Sequence, residues 1–183
     1  LAFVSIAALS TGCVKSVHPF YEPKDLVSVE AEHLGAWSGR SENETWTLKK
    51  TDSEKTYALT YRNQDTETEF EAHFFKSGEL LLVDLAPKRT EGLDGSPASA
   101  HQVPVHTLSL VRTAGKDRVS YAPLMQMHVR AHLQEKNPGI SFSDLPHDEL
   151  LLTAPTDRLK KDLIANLKEI WFCDPFPVLT RKK

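Results

Sequence analysis

Cysteine is scarce in this chain: there are two in 183 residues, Cys13 and Cys173. Two are too few for a disulfide scaffold. A charge excess of one sign is also lacking, since the net charge is −3 with both signs interspersed. That excludes the basic footprint of a nucleic-acid binder and the polybasic patch of a protein drawn to anionic lipid. Beyond the N-terminal stretch, no apolar run approaches the roughly 20 residues that a membrane-spanning helix needs. Catalytic signatures are missing too. Ser109, Ser120 and Ser141 lack the Gly-x-Ser-x-Gly turn of hydrolases. There is no Gly-rich phosphate loop and no Cys-x-x-Cys. The expectation is a protein that is not an enzyme and needs no cofactor. What is present is globular: 40% apolar and 26% charged residues. The length suffices for one domain with a sizeable core, plus a tail.

The N-terminus reads as an address. Leu1–Gly12, LAFVSIAALSTG, is apolar and small, in the manner of a signal-peptide h-region, and it precedes Cys13. The stretch ALSTGC resembles the bacterial lipobox. Gly12 and Thr11 fit that motif; Ser10 stands where Leu is usual, with Leu9 one place further back. The resemblance implies that residues 1–12 are a partial signal peptide and that Cys13 is lipidated and becomes the mature N-terminus. Several acyl chains anchor firmly, at about 0.8 kcal/mol per buried CH₂. Val14 stands where Asp would mark inner-membrane retention, so the implied location is the outer membrane, facing the periplasm. A Cys13–Cys173 disulfide is the competing reading and excludes lipidation. With Cys13 lipidated, Cys173, beside Phe172 and near Trp171, is expected to be a buried, inert thiol.

Residues 13–33 look like an extended tether, with Pro19 and Pro23 breaking regularity and the pair Phe20 and Tyr21 docking on the domain. The domain, residues 34–183, begins at LGAWSGR, Leu34–Arg40. From there the hydrophobic period is two. Trp46 and Leu48 share a face, as do Tyr57, Leu59 and Tyr61, and Phe70, Ala72 and Phe74. Glu79–Leu85, ELLLVDL, is a nearly continuous apolar run and so is expected to be buried on both faces. Short turns between these runs predict an antiparallel meander. Ala86–Ala100 is a long loop. Strands follow over His101–Arg112 and Asp117–Tyr121, then a helix over Leu124–Glu135, then strands at Ile140–Ser143 and Glu149–Thr153. A second helix is predicted from Asp157 to Ile170, capped by Thr156, before a last strand at Pro177–Arg181. The fold class is mainly antiparallel β: a small lipocalin-like barrel with a C-terminal α-helix before the last strand, or alternatively a β-sandwich.

Gly35-Ala36-Trp37 resembles the G-x-W of the first strand in lipocalins and other calycin barrels. In that family the Trp closes the narrow end and a basic residue of the last strand packs over it. The resemblance implies that Arg181 covers Trp37. The T-D-x motif of lipocalins is not visible, and the helix at Leu124–Glu135 interrupts the meander. Most of the chain also resembles a group of uncharacterised bacterial envelope lipoproteins. The stretches carrying this are GCVKSVHPFYEPKDLV, HLGAWSGR with ETWTLKK, EFEAHFFKSGELLLVDLAP, VPVHTLSLV and DELLLTAPTDRL.

The residues expected to meet a ligand are His106, Tyr57, Tyr61 and Phe74, in a barrel that takes one small apolar or amphipathic molecule. His106 shares parity with Leu108 and Leu110 and is expected to point inward with them. The plainer reading of His106, and the favoured one, is a core histidine bonded to a backbone carbonyl or to a buried carboxylate such as Asp84. His128 and His132 stand four apart on one helix face, a chelating spacing, with His101 or His147 as conceivable third ligands. The Glu of H-E-x-x-H is absent and Arg130 lies between them, so no metal is expected. The expected partners are the membrane, through the lipid anchor, and a small hydrophobic ligand, but not nucleic acid; a protein partner stays undefined. The second functional reading is a non-catalytic envelope interaction or structural lipoprotein with a filled core.

Overall fold

Gly35 opens the first barrel strand at a backbone φ of +118°, a conformation that side chains other than hydrogen rarely adopt. The computed structural model describes residues 12–39, 41, 43–88, 104–113, 115–136, 139–172 and 178–182. Its strands are β1 (Lys15–Ser16), β2 (Gly35–Ser38), β3 (Thr45–Lys50), β4 (Tyr57–Arg62), β5 (Glu67–Ser77), β6 (Leu80–Pro87), β7 (His106–Thr113), β8 (Arg118–Pro123), β9 (Phe142–Leu145), β10 (Glu149–Leu152) and β11 (Val178–Arg181). The α-helices are α1 (Gln126–Lys136) and α2 (Thr156–Asp162).

Eight of these strands close a barrel, in the order β6-β5-β4-β3-β2-β11-β8-β7, with β7 pairing back onto β6. Every pairing around the ring is antiparallel. Closure sets aside the sandwich alternative and leaves the eight-stranded ring itself without an edge. The meander follows from the period-two pattern and its turn residues. The Asn63 side chain accepts the backbone N–H groups of Asp65 and Thr66 and so shapes the β4–β5 turn. Gly78 takes a φ of +57° between β5 and β6. The three other strands form a flap in the order β1-β10-β9, attached where β1 pairs with the first residues of β7.

Two cores result. The inner one is the barrel interior, built from Trp37, Leu48, Tyr57, Leu59, Ala72, Phe74, Val83, Val111, Val119 and Leu179, with Val29 below them. The outer one lies between the outer face of β5–β8 and the covering elements. Phe75, Leu82, Leu108, Leu110 and Ala122 meet Val129 and Leu133 of α1, Leu159 of α2, and Leu150 and Leu152 of β10. Strand β6 is thus buried on both faces, as its unbroken apolar run predicts: Leu82 and Val83 are both fully buried.

Three expectations are corrected. Phe20 and Tyr21 do dock on the domain, in the outer core, but the segment expected to be an extended tether also contributes a strand, β1. The second helix stops at Asp162, followed by 3₁₀ turns at Ile164–Asn166 and Glu169–Trp171. Here the Asp162 carbonyl, which a continuing helix would pair with the Asn166 N–H, instead accepts from His132 Nε2–H at 2.9 Å and from Asn166 Nδ2 at 3.3 Å. Thr156 is not a cap, since Pro155 holds the cap position and the Thr156 hydroxyl donates to the Pro19 carbonyl. No helix among the described residues is long and apolar enough to cross a membrane.

Candidate functional site

One end of the barrel is sealed by described residues. Residues 26–34 run beneath it, with the Val27 N–H donating to the Phe74 carbonyl and the Val29 N–H to the Tyr57 hydroxyl at 3.0 Å. Val27, Val29 and Leu34 pack on the inner core. Trp37 Nε1–H donates to the His33 carbonyl. The Arg181 guanidinium carbon sits 4.4 Å from the Trp37 ring centroid. That guanidinium also donates to the Leu34 and Glu32 carbonyls, and its Nε lies 3.6 Å from the Asp117 carboxylate. Strand β11 brings Arg181 opposite Trp37 of β2 in register. The geometry that the G-x-W resemblance implies is therefore present.

The expected ligand contacts divide into three groups. Tyr57 and Phe74 are core: their rings meet edge to face at 5.4 Å, both are buried, and the Tyr57 hydroxyl is used by Val29. Tyr61 is half-buried towards the other end, beside Trp46 at 4.6 Å between ring centroids, with Phe70, Leu85 and Tyr121 also partly buried on the inner core. Burial alone pushes the Tyr121 phenol well above its ordinary range. His106 is not in the barrel. It does share a face with Leu108 and Leu110, but that face is the outer one. Period two tells which residues point together and not which side is the interior when both sides are covered.

On that outer face His106 meets a fully buried carboxylate. Its Nδ1 lies 2.7 Å from Asp84 Oδ1, while Asp84 Oδ2 accepts the Phe20 N–H at 2.9 Å. Next to it, the Tyr21 ring stacks on His73 at 4.9 Å. His73 Nε2 is 3.3 Å from the Thr56 hydroxyl, and His73 Nδ1 is buried with no hydrogen-bond partner among the described residues. Burial, then the negative charges of Asp84 and Glu71, push the Tyr21 phenol up to about 12. Burial holds the His73 imidazole below its ordinary value; Asp84 and Glu71 oppose this and His106 adds to it. The sequence signal for the carboxylate was Asp84 standing inside an apolar run, and for Tyr21 the Phe20–Tyr21 aromatic pair; His73 carried none.

A carboxylate orienting an imidazole is also half of a general-base dyad. Ser16 lies opposite His106 across the β1–β7 pair. Ser16 is fully buried, and its hydroxyl accepts the His18 N–H at 3.1 Å. The cluster therefore works as a clamp that fastens the N-terminal segment to the barrel. A second fastening comes from α2, where Lys160 reaches Glu22 at 2.5 Å and Asp25 at 2.6 Å.

Of the histidine pair on α1, His132 already has a partner for one ring nitrogen. His132 is buried against Trp171 at 5.0 Å and donates to the Asp162 carbonyl. Among the described residues, no group of three His, Cys, Asp or Glu gathers at metal-binding spacing. His101, Cys173 and most of the predicted loop over Ala86–Ala100 lie outside the described residues. Cys13 forms an antiparallel bridge with Met125 at the start of α1. Two hollows among the described residues lie outside the barrel interior. One of about 350 Å³ is lined by Arg130, Leu133, Gln134 and Phe142, and one of about 190 Å³ lies at the β3–β4 turn. Comparison of the chain with family models, curated proteins and solved structures gave no match.

Proposed function

We propose that this chain is a lipid-anchored protein of the bacterial cell envelope, held through Cys13 at the outer membrane, whose barrel is a filled, non-catalytic interaction module. The observation that carries this reading is the barrel interior. Aromatic and branched side chains from all eight barrel strands pack into one cluster, and Trp37, Tyr57 and Phe74 are all buried within it. Two of the side chains that a ligand would have needed, Tyr57 and Phe74, are spent on each other. The anchor rests on the resemblance of ALSTGC to the lipobox.

A small apolar or amphipathic ligand remains the second reading, moved to the end of the barrel away from Arg181. It is favoured by the half-buried pair Trp46 and Tyr61, whose rings stand 4.6 Å apart.

Titration of the Cys13→Ala chain with a fatty acid and with a solvatochromic hydrophobic dye separates the two readings. The filled module binds neither saturably. Saturable one-to-one binding that is lost in Trp46→Ala and Tyr61→Ala overturns it in favour of the second reading. The anchor is tested by fractionating cells: Cys13→Ala is expected in the soluble fraction, and its retention in the membrane counts against lipidation.

A further inference from the structure

Folding begins immediately after Cys13. Val14 is 1% exposed, and its N–H donates to the Leu124 carbonyl at 3.0 Å. Two residues later Ser16 is fully buried in β1, between β7 and β10. Through this Val14 bond Cys13 is held beside Met125 at the edge of the fold.

This geometry limits how far the domain can stand from a membrane. A free tether reaches about 3.3–3.6 Å per residue, so one of the length expected for residues 13–33 would span roughly 70 Å. Adjacent Cα atoms are only about 3.8 Å apart, and Val14 already belongs to the core. A glyceride on the Cys13 sulfur has no slack chain between it and the domain.

The surface around Cys13 suits such contact. Met127, two residues from the bridged Met125, is 64% exposed, an apolar unbranched side chain held out on the first turn of α1. The charges nearby are neutralised among themselves. Arg130 pairs with Asp144 at 2.6 Å and with Asp148 at 3.4 Å, and Lys15 pairs with Glu149 at 2.5 Å. Gln126 Nε2 donates to the Asp148 carbonyl. A face with an exposed methionine and paired charges fits a zwitterionic headgroup layer better than an anionic one.

We infer that the domain lies flush on the bilayer, with the start of α1 and Met127 in the headgroup region of zwitterionic lipid. This inference rests on lipidation of Cys13. Strand β3 stands diametrically across the barrel ring from β7, so the exposed Lys49 marks the face turned away from the membrane.

The test uses the lipidated full chain with Cys173→Ser, reconstituted in phosphatidylethanolamine–phosphatidylcholine vesicles that carry a headgroup quencher. A fluorophore is attached to Met127→Cys in one sample and to Lys49→Cys in another. Quenching of roughly twofold or more at 127 and none at 49 is expected for a side chain within the headgroup layer. A flexible Gly-Ser insert between Cys13 and Val14 should abolish the difference. In protein whose intact mass carries the acyl chains, equal signals at the two positions without the insert overturn flush docking alone. An intact mass without acyl chains overturns the lipidation reading, and flush docking with it.

Discussion

His106 and Asp84 lie 2.7 Å apart on the outside of the barrel, and Asp84 is the fully buried member of the pair. The second carboxylate oxygen holds the Phe20 N–H. One side chain therefore joins β6, β7 and the N-terminal segment. Removing one partner of a buried pair typically costs about 3–5 kcal/mol. Asp84→Ala is expected to approach the lower part of that range, since His106 is partly exposed, and to make the segment at 14–34 the first site of proteolytic cutting. Urea unfolding and limited proteolysis read the two effects. An unchanged midpoint with an intact N-terminal segment would contradict the clamp.

The stacked pair Tyr21 and His73 makes stability depend on pH. Burial lowers the His73 pKa in the fold, so below its ordinary value of about 6.5 the unfolded chain binds more protons. The contribution is complete above that pH and is lost as pH falls towards the lowered value. Glu22 follows the same sign in a more acid window, because Lys160 and then Lys24 hold its pKa below 4.5. Thermal midpoints should therefore begin to fall below about pH 6.5, well before the carboxylates protonate. His73→Phe keeps a ring against Tyr21 and should flatten that first decline. A profile identical to that of the parent protein would remove His73 from the account.

Arg181 closes the sealed end by covering Trp37 and binding the Leu34 and Glu32 carbonyls. A cation over an indole contributes about 0.5–2 kcal/mol, and the carbonyl bonds add to it. Arg181→Met is expected to cost about 2 kcal/mol in chemical denaturation. Gly35→Ala should also destabilise, because the φ of +118° disfavours alanine and its Cβ would stand 3.1 Å from Arg181 Nη1. The second effect runs partly through Arg181, so the double variant should lose less than the sum of the single losses. Full additivity would separate Gly35 from the Arg181 contact.

Phe74 is fully buried among Tyr57, Val83 and the other inner-core residues. Phe74→Ala should cost about 3–5 kcal/mol and leave an apolar void. Such voids take up small apolar molecules. Benzene-sized probes should therefore bind and restabilise the variant while leaving the parent protein unaffected. Equal binding to both would mean that the barrel already has room, and would favour the ligand reading.

Much of the fold was legible because its signals are local. Alternation at Trp46 and Leu48, Tyr57 and Leu59, and Phe70, Ala72 and Phe74 marked the faces that do turn inward. The G-x-W together with a terminal Arg marked the closure. What escaped depends on neighbours distant in sequence. β1 is two residues long and exists only because β7 and β10 flank it. The apolar stripe from Leu159 to Ile170 predicted a continuous helix, but Ile170 is 72% exposed and the chain breaks at Asp162. His106 had its companions placed and its side of the sheet reversed, because Leu82 and Val83 are equally buried on opposite faces of the adjoining strand. Its pairing with Asp84 was legible nonetheless, since a carboxylate in an apolar strand needs a partner.

Strand β7 has a consequence for how the molecule melts. It pairs with β6 and β8 in the barrel and with β1 in the flap, and its side chains alternate between the inner and outer cores. Neither core can lose order while β7 stays in register for the other. The barrel and its outer layer are therefore expected to unfold as one cooperative unit, with a calorimetric enthalpy equal to the van't Hoff value, despite having two separate hydrophobic interiors.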